Sequence, residues 1–290
     1  MIRAAPRSAP LPALDAHTVE KILIGFLREE LRSAGAERGV LGLSGGIDSA
    51  VVAYLAAAAL GPENVTGVMM PAATSSPESL EHARLVAERT GIRTRLVPIA
   101  KMAAGYLDEV PGITAVRRGN VYSRCRMTVL YDISAEIGAL VLGTSNKTEL
   151  LLGYGTLHGD LASAVNPIGD LYKTQVRLLA EHLGVPQEIC TKVPSADLRA
   201  GQSDEQEIGA TYDDLDRLLL RLIDERVAPD RLVEEGFDAD FVSTTSRRVR
   251  ANQYKRRPPL IAKISTRTIG PDFRYPRDGG LGRDRRLGSA

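Results

Sequence analysis

The run Ser44-Gly45-Gly46-Ile47-Asp48-Ser49 gathers two glycines, two hydroxyls and a carboxylate between an apolar stretch, Gly39 to Leu43, and an Ala-rich helical stretch, Asp48 to Leu60. At a strand–turn–helix junction, glycines let the backbone approach a phosphate and adopt torsions closed to other residues. The helix start adds unpaired N–H groups and the positive end of a dipole. Ser44 and Ser49 contribute hydroxyl donors. A carboxylate is not drawn to phosphate by itself, so Asp48 makes chemical sense if an oxygen-seeking cation such as Mg²⁺ lies between it and a polyphosphate. The turn therefore points to ATP with Mg²⁺, and Gly42, Leu43, Ser44, Gly45, Gly46, Ile47, Asp48 and Ser49 form the candidate ATP-binding stretch. The plainer alternative is a turn whose glycines serve geometry alone while Asp48 caps the helix. No Gly-Lys-Ser/Thr follows, so this is not a Walker A loop.

The flanking pattern supplies the scaffold such a turn needs. Val19, Ile22, Leu23, Phe26, Leu27 and Leu31 recur at helical spacing and predict a helix over Thr18 to Ser33. Strands are predicted at Gly39–Leu43, Val65–Met70, Ile92–Ile99 and Ala139–Leu142, and helices between them at Asp48–Leu60, from Ser76-Pro77 to Thr90, and from about Val121 to Ile137. Pro111 to Gly119 reads as a loop, Asn146–Gly159 as partly helical, and Gly169–Leu183 as carrying a helix that opens near Thr174. Lys192–Ser203 reads as a polar loop, Glu205–Leu222 as a helix, and Ala228–Arg257 as two further helices. Alternating strands and helices imply an α/β fold, a doubly wound parallel sheet flanked by helices. We expect a frayed N-terminus over residues 1–16, a single domain over 17–260 and a flexible basic tail over 261–290.

Composition narrows the class. The 290 residues are 43% hydrophobic and 25% charged, which excludes a disordered chain and a miniature disulfide scaffold. Lys plus Arg number 37 against 36 Asp plus Glu, so there is no overall pull toward nucleic acid or acidic membranes. From Arg247 onward, however, 13 basic residues stand against 3 acidic. Cys125 and Cys190 form no CxxC or His/Cys cluster, which fits a reducing cytoplasm. Neither a signal peptide nor a membrane helix is predicted.

Several further segments carry polar signals: Asn120-Val-Tyr-Ser-Arg124-Cys-Arg126-Met127; Gly143-Thr144-Ser145-Asn146-Lys147-Thr148-Glu149; Gly153-Tyr154-Gly-Thr156 with Gly159-Asp160; Pro167-Ile-Gly-Asp170-Leu-Tyr-Lys173-Thr174; Lys192-Val-Pro194-Ser195-Ala-Asp197-Leu198; Gln202 with Asp204-Glu205; and Tyr254-Lys255-Arg256. The glycine turn resembles the pyrophosphate loop of the ATP pyrophosphatases. Together with these segments, in order and spacing, it resembles NAD synthetase over about Thr18 to Pro259. The resemblance implies ATP-dependent amidation of deamido-NAD by ammonia through an adenylated intermediate, with release of AMP and pyrophosphate.

It also implies roles for individual residues. Glu149 joins Asp48 on Mg²⁺, since a cation on polyphosphate is usually held by one or two protein carboxylates. Thr144, at the end of a predicted strand, contacts ATP. Lys173 and Ser195 meet ATP phosphates, where an ammonium and a hydroxyl stabilise charge growing on the leaving pyrophosphate. Arg124 binds the dinucleotide with Asn120 and Arg126 beside it, residues 120 and 124 sharing a helix face; Tyr254 and Lys255 lie near the same substrate. Asp160 is a candidate for orienting or deprotonating ammonia. For each residue, a solvated or merely structural role is the bland alternative, and Arg126 in particular has no claim outside the resemblance. After Thr156 the chain departs from the small ammonia-dependent enzymes. Their Lys and second Asp are missing from Leu157–Ala164, a loop closer to the synthetase domain of glutamine-dependent relatives.

The expected partners are ATP, deamido-NAD and ammonia, with a homodimer by resemblance and a separate glutaminase as a possible ammonia source. Membrane and nucleic acid are not expected. Two competing readings stay open at this stage: a pyrophosphate-loop enzyme adenylating another acceptor such as tRNA, for which paired cysteines would be expected, and a nonenzymatic nucleotide sensor.

Overall fold

The structure is a computed structural model that describes residues 5, 6, 8–194 and 204–269. Helix α1 (Ala16–Ser33) leads into β1 (Arg38–Gly42), the glycine turn and α2 (Ile47–Leu60). A short 3₁₀ turn, β2 (Val65–Met69), α3 (Pro77–Thr90) and β3 (Arg93–Leu96) follow. After α4 (Ala100–Leu107) and α5 (Ala115–Ile137), β4 (Ala139–Val141) completes the sheet. The strands pair in parallel in the order β3-β2-β1-β4, with Val40 opposite both Thr66 and Val141. The chain thus winds outward from β1 to β3 and then crosses to the other side for β4. That reversal opens a crevice beyond the C-terminal ends of β1 and β4, the switch point at which open α/β sheets bind ligands.

Helix α2 explains the compactness around that crevice. Its residues Ala50, Val51, Val52, Ala53, Leu55 and Ala56 are wholly buried, so the helix is apolar on every side. Small side chains let α1, the later helix Lys173–His182 and the sheet close on it, forming one core with Leu27, Leu31, Leu41, Val176 and Leu179. On the other face of the sheet, α5 and α4 cover Val40, Val68 and Val141 with Tyr122, Ile133 and Ala103.

The remaining helices are α6 (Lys147–Leu152), α7 (Lys173–His182), α8 (Gln187–Cys190), α9 (Asp204–Ile208), α10 (Tyr212–Leu219), α11 (Pro229–Glu234) and α12 (Ala239–Ala251). A second apolar cluster joins Leu152 and Tyr172 to Tyr212, Leu215, Leu218, Leu232 and Phe241, fixing these helices on the sheet body.

Several boundaries differ from the sequence expectation. Helix α5 starts at Ala115, inside the predicted loop, because Thr114 caps it by accepting from the Arg117 N–H. Helix α4 lies where no element is predicted, and the third strand is only Arg93–Leu96. The single helix expected over Glu205–Leu222 is broken: Gly209 adopts φ +85°, Thr211 caps α10 by accepting from the Asp214 N–H at 3.1 Å, and Leu220–Asp224 is a π-helical turn. Near the N-terminus, Ala5 and Ala9 are buried against the second cluster, and the Ala5 N–H donates to Asp214 Oδ1 at 2.9 Å. Among the described residues no helix is long and apolar enough to cross a membrane.

Candidate active site

A cavity of about 500 Å³ occupies the switch point. The glycine turn forms its floor. Gly45 sits at φ +76°, and a Cβ there would lie 2.1 Å from the Ser79 carbonyl oxygen of α3, so both its torsion and its neighbour demand glycine. Ser44 and Ser49 brace the turn: their hydroxyls lie 3.1 Å apart, the Gly46 N–H donates to Ser44 Oγ, and Ser49 Oγ donates to the Gly46 carbonyl. Gly46 occupies the N-cap position of α2 without a side chain to cap it. The starts of α6 and α7 are satisfied internally, whereas α2 starts at Gly46 without a side-chain cap and its residues Ile47, Asp48 and Ser49 line the cavity, the setting an anion site requires.

Three charged side chains meet above this floor. Asp48, on the first turn of α2, accepts at Oδ1 from Asn146 Nδ2 (2.9 Å) and at Oδ2 from the Lys173 ammonium. Lys173 Nζ also lies 3.9 Å from Glu149. Burial alone would lower the Lys173 ammonium, but Asp48 and Glu149 outweigh it and hold it above the ordinary lysine range. The Glu149 carboxyl is pushed up to about 8, by burial first and by the negative Asp48 second. Two carboxylates thus share one ammonium, and one of them resists ionising. Paired hard oxygens whose mutual repulsion a doubly charged cation would relieve fit such an ion, so the residues present suit Mg²⁺.

Local chemistry sets this arrangement. Asn146 caps α6 by accepting from the Glu149 N–H (3.0 Å), while Glu149 reaches back to the Asn146 N–H (3.2 Å), a reciprocal capping box. Beneath, the fully buried Asp216 of α10 accepts from the Thr148 hydroxyl (2.6 Å), the Thr174 N–H (2.8 Å) and the Thr174 hydroxyl (2.8 Å). Thr148 Oγ1 in turn accepts from the Lys173 N–H at 3.0 Å. One carboxylate therefore sets the starts of α6 and α7, which carry Glu149 and Lys173. Burial raises its carboxyl to about 6 despite the three bonds.

The other predicted residues fall into three groups. Gly42, Leu43, Ile47, Thr144, Asn120, Arg126, Asp160 and Lys255 all line the cavity. Arg126 donates to the Met70 carbonyl (3.1 Å) and to Ser75 Oγ (3.3 Å), which brings it to the C-terminal end of β2. Asp160 Oδ1 accepts from Ser123 Oγ (2.6 Å) and the Thr156 N–H (2.9 Å), and Asn120 Oδ1 accepts from Thr156 Oγ1 (2.9 Å). Lys255 Nζ donates to the carbonyls of Gly153 (2.7 Å) and Gly155 (2.8 Å), and burial lowers its ammonium. Arg124 is outside this cavity: it borders a shallower depression on the outer side of α5, shared with Asn120, Arg117 and Tyr106. Tyr254 is also outside it and 59% exposed. Ser195, with Asp197, Leu198 and Gln202, lies outside the described residues.

Three contributors carry no assigned role in the sequence reading. Asn146 and Lys192 stand inside quoted segments, and Lys192 Nζ donates to Ser79 Oγ (3.0 Å) at the cavity wall. Asp216 had no signal, because a lone acid on an amphipathic helix reads as a solvated face.

A parallel four-stranded sheet flanked by helices, with a glycine turn, two carboxyl groups and a lysine converging at its switch point, defines a Rossmann-like α/β protein. The family profile described as NAD synthase matches residues 19–259, and the chain belongs to that family. It is 58% identical over 262 residues to the NH(3)-dependent NAD(+) synthetase of Trichlorobacter lovleyi, covering 90% of this chain and 96% of that one. It is 55% identical over 265 residues to the protein of the same description from Chlorobaculum parvum, covering 91% and 96%. Among solved structures, the NH3-dependent NAD synthetase of Campylobacter jejuni, in complex with nitrate ion, superposes with TM-score 0.74 at 33% identity, covering 86% of this chain and all of that one. The NMN synthetase of Francisella tularensis superposes with TM-score 0.76 at 30% identity, covering 87% and 100%.

Proposed function

We propose that this protein amidates deamido-NAD with ammonia at the expense of ATP, as an ammonia-dependent NAD⁺ synthetase. A nicotinate carboxylate oxygen attacks the α-phosphorus of ATP, the bond to the β-phosphate oxygen breaks, and pyrophosphate leaves. Ammonia then attacks the acyl carbon of the resulting mixed anhydride. The carbon–oxygen bond to AMP breaks, and the nitrogen sheds a proton to give the amide.

In this reading the Gly45–Ser49 turn and the α2 start hold the phosphates, and Lys173 neutralises charge as it grows on pyrophosphate. Asp48 and Glu149 would hold Mg²⁺, which when bound covers phosphate charge. Asp160, oriented by Ser123 and Thr156, receives the proton from ammonia. Arg126 and Asn120 face the acceptor inside the cavity, while Arg124 and Tyr254 serve the far end of a long dinucleotide. That length favours a homodimer in which a second copy completes the outer depression on α5. Ser195 belongs to the same phosphate set, and the cytoplasm, with free ammonia or a separate glutaminase subunit, is the expected setting. With no covalent enzyme intermediate, positioning and electrostatics carry the rate.

The observation that carries this reading is the Asp48–Lys173–Glu149 cluster over an uncapped glycine turn at the switch point of a family member. The experiment is to incubate pure protein with Mg-ATP, deamido-NAD and ammonium, omit each in turn, and quantify NAD and AMP by mass spectrometry. Equal NAD and AMP, dependent on every component, are expected. Parallel reactions replace ammonium with glutamine, which is expected not to support turnover, and deamido-NAD with nicotinate mononucleotide. AMP formed without NAD overturns the acceptor.

A further inference from the structure

Outside the cavity, at the far end of α7 from Lys173, two histidines and a glutamate converge. His17 and Glu20 lie one turn apart near the start of α1, and His182 is the last residue of α7. His182 Nε2 is 2.9 Å from Glu20 Oε2, and the rings of His17 and His182 stand edge to face with centroids 6.2 Å apart. One ligand atom from each of the three residues lies within 4.8 Å of the other two. None of the three lines the catalytic cavity.

We propose that His17, Glu20 and His182 form a binding site for a borderline divalent transition metal, zinc in the first instance. Two imidazoles and one carboxylate are a common zinc donor set, and ligand distances of about 2.0–2.2 Å put tetrahedral donors roughly 3.3 Å apart. Small rotations of these partly exposed side chains bring the atoms to that spacing. Imidazole selects against Mg²⁺ and Ca²⁺, so the site is chemically distinct from the Asp48/Glu149 pair.

Its frame is already fixed. Asp15 caps α1 through the Thr18 N–H (3.2 Å) and hydroxyl (2.6 Å), and Gln175 of α7 donates to the Ala13 carbonyl at 2.7 Å. The C-terminal end of α7 adds a favourable dipole, while Asp15 offsets the positive end of α1. With three protein donors at the surface, the fourth position is open to water. Because only the folded chain brings α1 and α7 together, the ion acts as a staple between the first helix and the helix whose other end carries Lys173.

The test uses full-length protein without a histidine tag, in excess Mg²⁺, titrated with Zn²⁺ by calorimetry and with Co²⁺ by absorption. One saturable equivalent per chain is expected, with a Co²⁺ spectrum free of thiolate charge transfer and a rise in thermal midpoint on Zn²⁺ addition. His17→Ala and His182→Ala should each weaken binding about tenfold or more and abolish the midpoint rise. Both variants should keep the Mg-ATP-dependent amidation rate. No saturable uptake by the unmodified protein, uptake undiminished in both variants, or a thiolate band overturns the site.

Discussion

Replacing Asp216 by Asn should give a protein that is more stable at neutral pH and slower at turnover. Asp216 is fully buried, and burial raises its carboxyl to about 6 from the ordinary 3.8 of an exposed aspartate. The folded state therefore binds this proton more tightly than the unfolded chain does. The stability that protonation confers is complete below about pH 3.8 and is lost as pH rises through about 6. Raising the carboxyl from 3.8 to about 6 makes ionised Asp216 cost about 3 kcal/mol at pH 7.5. Asn has the shape of the protonated acid but gives up one acceptor, so the variant should be about 1 kcal/mol less stable than the parent near pH 4. By pH 7.5 it should exceed the parent by about 2 kcal/mol, the cost of ionising Asp216 less that of the lost bond.

The same change removes an acceptor. Thr148 and Thr174 give Asp216 three hydrogen bonds, and an amide nitrogen cannot accept the one from Thr148. The start of α7, where the Lys173 N–H rests on Thr148, then loosens, and turnover should fall about tenfold or more. Urea unfolding of both proteins from pH 4 to 7.5 in EDTA, with kcat measured in Mg-ATP, tests this. Stability differences that stay constant across pH, or a variant less stable than the parent at pH 7.5, refute the reasoning.

Other expectations follow from single contacts. Asp48→Asn should abolish amidation while leaving the circular dichroism spectrum and unfolding cooperativity intact; near-normal NAD formation removes Asp48 from the metal and phosphate chemistry. Gly45→Ala combines a left-handed torsion with a Cβ 2.1 Å from a backbone oxygen. It should destabilise by about 2–4 kcal/mol and abolish activity. Gly25→Ala, in the middle of α1 with nothing within 4 Å of the added methyl, should instead stabilise by about 0.5–1 kcal/mol in the same denaturation assay. Lys192→Met should raise the KM for ATP about tenfold with a smaller effect on kcat, because its ammonium borders the glycine turn through Ser79. An unchanged KM places Lys192 outside the phosphate site.

Much of this protein was legible from local pattern. The strand–glycine–helix run at Gly39–Leu60, the Ser76-Pro77 cap of α3 and the apolar period of α1 encode their elements through neighbours within a few residues. Such signals survive in a linear reading. The break at Gly209 and the early start of α5 were also locally encoded, by a glycine and by a Thr cap, but a continuous apolar period masked the first and a Gly/Pro/Arg-rich stretch the second.

By itself, the sequence determined that an α/β sheet carries a strand–glycine–helix turn with Asp48, and that Glu149 and Lys173 stand at the starts of later segments. Only the tertiary structure decided which groups meet. Asn146 reaches Asp48 across 98 residues, Lys173 across 125, and Asp216 holds Thr148 from 68 residues away. Strand order put β1 beside β4, and that adjacency, not any local preference, brings the carboxylates together. It also turned Arg126 into the cavity and left Arg124 outside it, although both sit on one helix two residues apart. Helical periodicity specifies the angle between side chains, but which face meets the crevice depends on what the helix packs against.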